Sequence, residues 1–223
     1  MSLFALNHEL IFPPVHLAKR NGLLAVGGHL EKERLLLAYR LGIFPSYSEP
    51  PVLWWSPDPR WVLFPHELII SQSMKKCIRK NIFHFTMNRA FEQVIHLCKT
   101  IRRPSQNGTW ITDELEAAFI KLHNDGYAQS GETWLGDKLV GGIYGLRMGN
   151  IFFAESMFRL ETNASKFALI NLIQELKKTG VVLIDCQTYS SHLESLGARR
   201  INRELFCLII RKHTEIRCDK LND

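Results

Sequence analysis

Residues 150–187 read NIFFAESMFRLETNASKFALINLIQELKKTGVVLIDCQ, in which two apolar stretches flank a segment of helical periodicity. The first stretch, about 150–158, predicts a strand, and the last, 181–187, predicts a buried strand rich in β-branched residues. Between them, Leu169, Leu172, Ile173 and Leu176 fall on one stripe of a predicted helix over about 163–178, with Gly180 just beyond its end. This unit predicts a strand, a helix and a second strand in succession.

Regular patterns continue on both sides of this unit. We expect further strands at about 83–87, 130–135, 138–147 and 201–211, and further helices at about 89–102, 113–124 and 191–196. The resulting order, β-α-α-β-β-β-α-β-α-β, is similar to that of the GNAT acyltransferase fold. GNAT acetyltransferases carry a glycine-rich pyrophosphate loop after the fourth strand, whereas residues 159–166 contain no glycine, which argues against coenzyme A.

The chain before residue 65 has a different character. It is rich in aromatic residues and prolines, and Pro51, Pro57 and Pro59 exclude a regular helix around residues 53–60. We therefore predict an α+β protein with a small N-terminal α/β domain at residues 1–64. A GNAT-like domain with a mixed, mostly antiparallel sheet flanked by helices would occupy residues 65–223.

Composition limits the function classes. The chain has 223 residues, 46% of them hydrophobic, and a net charge of +6, which favours an anionic partner. No apolar run reaches the roughly 20 residues that span a bilayer, so we expect a cytoplasmic protein without membrane contact. Five cysteines without a C-x-x-C pair and nine scattered histidines indicate neither a disulfide framework nor a zinc site. No metal or cofactor is expected.

Four groups of residues could carry chemistry. Asp185 and Gln187 end a buried strand two positions apart, so they should project together with Cys186 pointing away, although Asp is also a common turn residue. Glu155 lies inside an apolar strand, where it either pairs with an internal cation or awaits a basic ligand. One face of a predicted helix is basic and could bind RNA or simply be solvated; its residues are Lys75, Lys76, Arg79 and Lys80. Three tryptophans could stack on the bases of a single-stranded RNA end or pack inside the protein: Trp54, Trp55 and Trp110.

Several segments together resemble one enzyme family from about residue 12 to residue 211. They are NGLLA (21–25), GIFP (42–45), LWWSPDPR (53–60), TWI (109–111), residues 152–158, NASK (163–166), LIDCQ (183–187) and SLGA (195–198). The chain resembles the leucyl/phenylalanyl-tRNA–protein transferases. The resemblance implies an aminoacyltransferase that moves leucine or phenylalanine from aminoacyl-tRNA to the α-amino group of proteins beginning with arginine or lysine, marking them for degradation by the N-end rule.

The resemblance also implies roles for individual residues. An apolar aminoacyl and adenosine pocket matches Trp110, Ile143, Phe152 and Leu169, with Glu155 at its acidic position and Trp54 and Trp55 as further candidates. The basic helix of Lys75, Lys76, Arg79 and Lys80 matches the tRNA-binding face. Three residues depart from the family pattern: Ser46 stands where a tryptophan commonly stacks on the terminal adenosine, His29 stands where an aspartate is usual, and Ile143 stands where methionine occurs.

The predicted chemistry needs no external activation, because an aminoacyl ester is already activated and positioning can dominate its aminolysis. Gln187 would orient the attacking amine, and Asp185 would polarise Gln187 and attract the positive charge of the acceptor. A competing mechanism leaves proton transfer to the terminal ribose hydroxyls. A GNAT acetyltransferase and a non-enzymatic RNA-binding module are the alternative functions, and a monomer is expected.

Overall fold

The computed structural model describes residues 3–101 and 110–214. The N-terminal part contains strands β1 (Phe4–Leu6), β2 (Leu23–Gly27), β3 (Phe44–Pro45) and β4 (Leu53–Trp55), and helix α1 (Lys32–Arg40). The remainder contains strands β5 (Arg60–Leu63), β6 (His84–Met87), β7 (Ala128–Leu135), β8 (Lys138–Met148), β9 (Ile151–Arg159), β10 (Leu183–Gln187) and β11 (Arg199–Ile201). Its helices are α2 (Gln72–Arg79), α3 (Phe91–Thr100), α4 (Asp113–Asn124), α5 (Ala164–Lys178), α6 (Ser191–Glu194) and α7 (Arg203–Thr214).

The strands form two sheets. The smaller sheet has the order β1-β2-β4-β3, and the larger has the order β11-β5-β10-β9-β8-β7-β6. In the larger sheet β10 and β9 are parallel, because α5 crosses over between them, and the other neighbouring pairs are antiparallel. The predicted α+β class and the mixed, mostly antiparallel sheet are confirmed.

Local signals account for the helices that frame this sheet. Thr112 caps α4 by accepting a hydrogen bond from the Leu115 N–H, and the buried side chains of α4 include Phe119 and Leu122. Helix α5 buries the predicted stripe against the sheet, with Lys177 and Lys178 in its last turn. The predicted strand–helix–strand unit at residues 150–187 is therefore confirmed, and it occupies the middle of the larger sheet.

The parallel pair β9–β10 separates halfway along its length. The last paired residues are Asp185 and Phe153, yet β9 continues to Arg159. A bulge lies at this point in each strand: Glu155 is the extra residue of β9 against β8, and Cys186 is the extra residue of β10 against β5. Because bulges bend strands and redirect side chains, the two strands diverge here and leave an opening in the sheet.

The strand predicted at 201–211 is wrong. In this part of the chain the strand β11 covers only Arg199–Ile201, which pairs with β5, and the residues after it form helix α7. Asn202 starts this helix because its side chain accepts a hydrogen bond from the Leu205 N–H at 2.8 Å. Phe206, Ile210 and Thr214 are buried at intervals of four residues, the spacing of one helix face.

The domain boundary proposed at residue 64 stays a prediction. The smaller sheet ends with β4, whereas β5, just before the proposed boundary, is an inner strand of the larger sheet. The predicted helix end at Arg102 and the predicted Thr109 lie outside the described residues. Within the described ranges, no helix has the length and apolar character needed to cross a membrane.

Candidate active site

A cavity of about 1130 Å³ occupies the opening between β9 and β10. Its walls come from the diverging strands, from the segment that follows β10, and from the N-terminal part of the chain. Lining residues are Phe44, Ser46, Ile101, Trp110, Ile143, residues 154–159, Ser165 and residues 186–193. One part of this wall is apolar, with Ile143, Met157 and Phe158, and another part is polar. Such a cavity accommodates a ligand with one apolar and one polar group.

Glu155 is the buried carboxyl group of the cavity wall. Its Oε1 accepts hydrogen bonds of 2.8 Å from both the Tyr39 hydroxyl and the Gln187 side-chain amide, whereas no described residue donates to its buried Oε2. Burial raises the pKa of Glu155 to about 8; the Tyr39 hydrogen bond opposes this rise and the Asp185 carboxylate adds to it. Burial also raises the pKa of Tyr39 well above its ordinary value, so its hydroxyl remains a donor.

Asp185 does not line the cavity. Arg60 holds it with two hydrogen bonds, from Nε to Oδ1 at 2.8 Å and from Nη2 to Oδ2 at 2.7 Å, and both side chains are buried. Arg60 also contacts the Gly42 carbonyl oxygen at 3.2 Å, and its guanidinium lies over the rings of Phe44 and Phe206. The Asp185 charge is therefore neutralised inside the protein.

Gln187 has an unusual backbone conformation. Its φ is 62°, and the Thr188 N–H donates to the Cys186 carbonyl oxygen at 2.7 Å, which makes Gln187 the centre of a γ-turn. The Gln187 N–H donates to Asp185 Oδ1 at 2.9 Å and supports the turn. As a result both Cys186 and Gln187 line the cavity while Asp185 faces Arg60, so the predicted joint projection of Asp185 and Gln187 is wrong.

The bulge at Cys186 explains this difference. An extra residue shifts the side chains that follow it to the opposite face of the sheet. Burial raises the pKa of the Cys186 thiol, so this residue remains a neutral thiol in the wall rather than a thiolate nucleophile. The link between Asp185 and Gln187 survives, but it runs through the backbone N–H of Gln187 and not through its amide group.

The other residues predicted for the pocket divide into two groups. Trp110 and Ile143 line the cavity, whereas Phe152 and Leu169 are buried in the core next to Ile143. Trp54 is fully buried and donates its indole N–H to the Gly27 carbonyl oxygen, so it packs, and the predicted stacking on a base is wrong for this residue. Trp55 donates its indole N–H to the Ser46 carbonyl oxygen at 2.8 Å and supports the wall from behind.

Three residues of the site escaped sequence reasoning. Tyr39, from helix α1, donates a hydrogen bond to Glu155. Arg60, from strand β5, holds Asp185. His192 lines the cavity, and its buried Nε2 has no hydrogen-bond partner among the described residues. Burial, together with Lys166 and Arg159 nearby, lowers the pKa of His192 to about 4 and keeps the imidazole neutral at pH 7.

The predicted basic helix lies outside the cavity. Helix α2 is capped by Ser71 and packs through the buried Met74. The side chains of Lys75, Lys76, Arg79 and Lys80 are all exposed. These four cations can contact a polyanion without rearrangement of the core.

Two family descriptions match the chain. Residues 62–211 match the leucyl/phenylalanyl-tRNA protein transferase family, and residues 28–58 match the N-terminal domain of the same family. The break between the two matches, residues 59–61, falls at the start of β5.

Two enzymes that carry the name of this family are similar to almost the whole chain. The leucyl/phenylalanyl-tRNA–protein transferase of Syntrophobacter fumaroxidans is 53% identical over 94% of this chain and 90% of that protein. The enzyme of the same name from Flavobacterium johnsoniae is 51% identical over 94% of this chain and 99% of that protein. Among solved structures, L-PGS from Bacillus licheniformis is 14% identical, covers 86% of this chain and 74% of that chain, and has a TM-score of 0.42.

Proposed function

Because the chain belongs to the leucyl/phenylalanyl-tRNA–protein transferase family, we propose that it transfers leucine or phenylalanine from aminoacyl-tRNA to proteins with N-terminal arginine or lysine. The reaction is aminolysis of the aminoacyl ester by the α-amino group of the acceptor. The new N-terminal residue marks the acceptor for degradation. The enzyme acts in the cytoplasm as a monomer and needs no cofactor.

One observation carries this proposal: the cavity joins an apolar wall to the buried carboxyl of Glu155. An apolar wall suits the side chain of leucine or phenylalanine, and a buried acidic group suits the amine that must reach the ester carbonyl. Ile143 and Met157 belong to the apolar part, and Phe152 and Leu169 support it from the core. A change at Ile143 would alter the pocket volume and hence the choice between donors.

Trp110 is one of the aromatic side chains in the cavity wall that could contact the terminal adenosine. Trp110 lines the cavity together with Ser46, and Tyr47 is turned inward, where it is fixed by Thr112 and Glu114. We propose that the adenine stacks on Trp110, with Phe44 and Ile101 as the neighbouring apolar surface. Ser46 leaves this stack single-sided.

The roles of Asp185 and Gln187 follow from their contacts. The Gln187 Nε2 is occupied by Glu155, which leaves its amide oxygen to accept a hydrogen bond from the incoming amine. Asp185 is neutralised by Arg60, so it positions Gln187 through the backbone rather than attracting the acceptor. The terminal ribose hydroxyls remain the alternative path for the proton that the leaving oxygen needs.

The tRNA body would contact α2. Its four exposed cations can bind phosphates without reading sequence, which agrees with a substrate defined by its amino acid rather than by one tRNA sequence. Contacts at α2 and at the cavity would together hold the acceptor stem and the aminoacylated end.

The deciding experiment incubates the protein with labelled Leu-, Phe- and Met-tRNA and with peptides that begin with Arg, Lys or Ala. We expect transfer of leucine and phenylalanine to the Arg and Lys peptides and little transfer to the Ala peptide. Acetyl-CoA replaces aminoacyl-tRNA in a parallel reaction, in which no acetylation is expected. Absence of transfer to the Arg and Lys peptides would refute the proposal.

A further inference from the structure

A preference for arginine or lysine at the acceptor's N-terminus requires a group that attracts a cation. Among the described residues that line the cavity, only Glu155 has a carboxyl group. Burial raises the pKa of Glu155 to about 8, so this carboxyl is mostly neutral at pH 7. Asp185 is neutralised by Arg60, and Arg159 adds a positive charge to the wall. The cavity wall alone therefore attracts a basic side chain only weakly.

An aromatic and acidic cluster lies where the cavity wall reaches the solvent, two residues after Gln187. Tyr189 lines the cavity and is 58% exposed. Its ring packs against that of Trp61, with 4.9 Å between the ring centroids, and its hydroxyl donates to Glu194 Oε2 at 3.1 Å. Trp61 lies opposite Gln187 in the pairing of β5 with β10. We call Trp61, Tyr189 and Glu194 the mouth cluster.

Both parts of the mouth cluster attract cations. An aromatic ring attracts a cation over its face through its quadrupole, and Glu194 is an exposed carboxylate. The hydrogen bond to Glu194 raises the pKa of Tyr189, so the hydroxyl remains a donor and holds the carboxylate beside the ring. Within the described ranges, no cationic side chain pairs with Glu194 and no Lys or Arg lies over the Tyr189 ring. The mouth cluster can therefore bind a cation from another molecule.

We infer that the mouth cluster binds the guanidinium or ammonium group of the acceptor's first side chain while Gln187 holds the α-amine of the same residue. This inference rests on the proposed aminoacyl transfer and assigns its acceptor specificity to a surface outside the buried part of the cavity. Tyr189 contacts the cation with its ring, and Glu194 supplies the opposite charge. Trp61 positions the Tyr189 ring.

The spacing along the chain suits the length of a basic side chain. Consecutive Cα atoms are about 3.8 Å apart, so those of Gln187 and Tyr189 are separated by at most about 7.6 Å. The long stems of arginine and lysine carry their charge over a distance of this order, whereas alanine has no such stem. The planar guanidinium can also stack on an aromatic ring, so we expect arginine to bind better than lysine.

The test measures kcat/KM for leucine transfer from Leu-tRNA to peptides that differ only in their first residue, which is Arg, Lys or citrulline. Citrulline has nearly the shape of arginine but no charge. We expect the double variant Tyr189→Leu with Glu194→Gln to lower kcat/KM about 10-fold for the Arg and Lys peptides, with each single variant lowering it about 3-fold. The value for the citrulline peptide should stay within about 2-fold of wild type, which also shows that the variant is folded and active.

Two further variants test the separate contributions. Glu33→Gln removes one exposed negative charge from α1 and should leave all three values unchanged. Tyr189→Phe keeps the ring and should lower the value for the Arg peptide less than Tyr189→Leu does.

Two results would overturn the inference while leaving aminoacyl transfer intact. One is an equal loss for the Arg and citrulline peptides in the double variant, which would make Tyr189 part of the wall without selectivity for charge. The other is an unchanged value for both peptides. Absence of transfer to the Arg peptide by wild type would instead overturn the proposed function, and this inference with it.

Discussion

Arg60 and Asp185 are separated by 125 positions in the chain, yet they form a buried, two-point ion pair with distances of 2.8 and 2.7 Å. Breaking such a pair leaves a charge without a partner in the core. We expect Asp185→Asn to lower the free energy of unfolding by about 3–5 kcal/mol, measured by urea denaturation. Transfer activity should fall in parallel, because Asp185 also holds the Gln187 N–H.

The double variant Arg60→Met with Asp185→Asn serves as the control for this pair. It removes both charges, so its loss of stability should be smaller than the sum of the two single losses. Additive losses would show that the two side chains contribute independently.

Gln187 combines a chemical role with a strained backbone, and two substitutions separate these contributions. Both Gln187→Ala and Gln187→Gly remove the amide, so both should lower the transfer rate by about 10- to 100-fold. Glycine adopts the observed φ of 62° without strain, so Gln187→Gly should be about 1 kcal/mol more stable than Gln187→Ala. Equal unfolding midpoints for the two variants would contradict strain at this residue.

Glu155 should make stability depend on pH. Its pKa rises from the ordinary 4.5 to about 8 on folding, so its contribution is complete below about pH 4.5 and is lost as the pH rises towards 8. Glu155→Gln removes this dependence. The stability of the variant relative to wild type should therefore increase by on the order of 3 kcal/mol between pH 5 and pH 8, measured by denaturation at each pH. A constant difference would place the carboxyl in a more solvated environment.

The basic face of α2 predicts a salt-dependent affinity for tRNA. Replacement of Lys76 and Arg79 by Ala should weaken binding of Leu-tRNA and reduce the slope of log affinity against log salt by about 0.7–0.9 for each lost phosphate contact. Lys177→Ala with Lys178→Ala removes the same charge from the last turn of α5 and provides the matched control. Equal slopes for the two double variants would argue against a specific role of α2.

The sequence pattern predicted much of the fold because strong local signals specify it. Thr112 caps a helix where expected, and the apolar stripe of α5 faces the core. The prediction of a strand at residues 201–211 was wrong because a continuous apolar run fits a buried strand as well as a helix. In the structure the Asn202 side chain caps this segment and starts a helix there.

The site was predicted less completely than the fold. Glu155 and Gln187 do meet in one cavity, but the expected internal cation pairs with Asp185 instead of Glu155. Bulges, a positive φ at a non-glycine residue and a contact across 125 positions depend on tertiary pairing, which no local pattern encodes. The same applies to Tyr39, whose role exists only because α1 packs next to β9.

The position of β5 between β10 and β11 has a consequence for synthesis on the ribosome. Residues 60–63 pair with residues 183–187 and 199–201, and Arg60 emerges 125 positions before its partner Asp185. Until β10 has been synthesised, the nascent chain therefore carries an unpaired strand and an uncompensated Arg60. The cavity between β9 and β10 therefore forms only after the chain has been made as far as β10, because both strands and the segment after β10 contribute its walls.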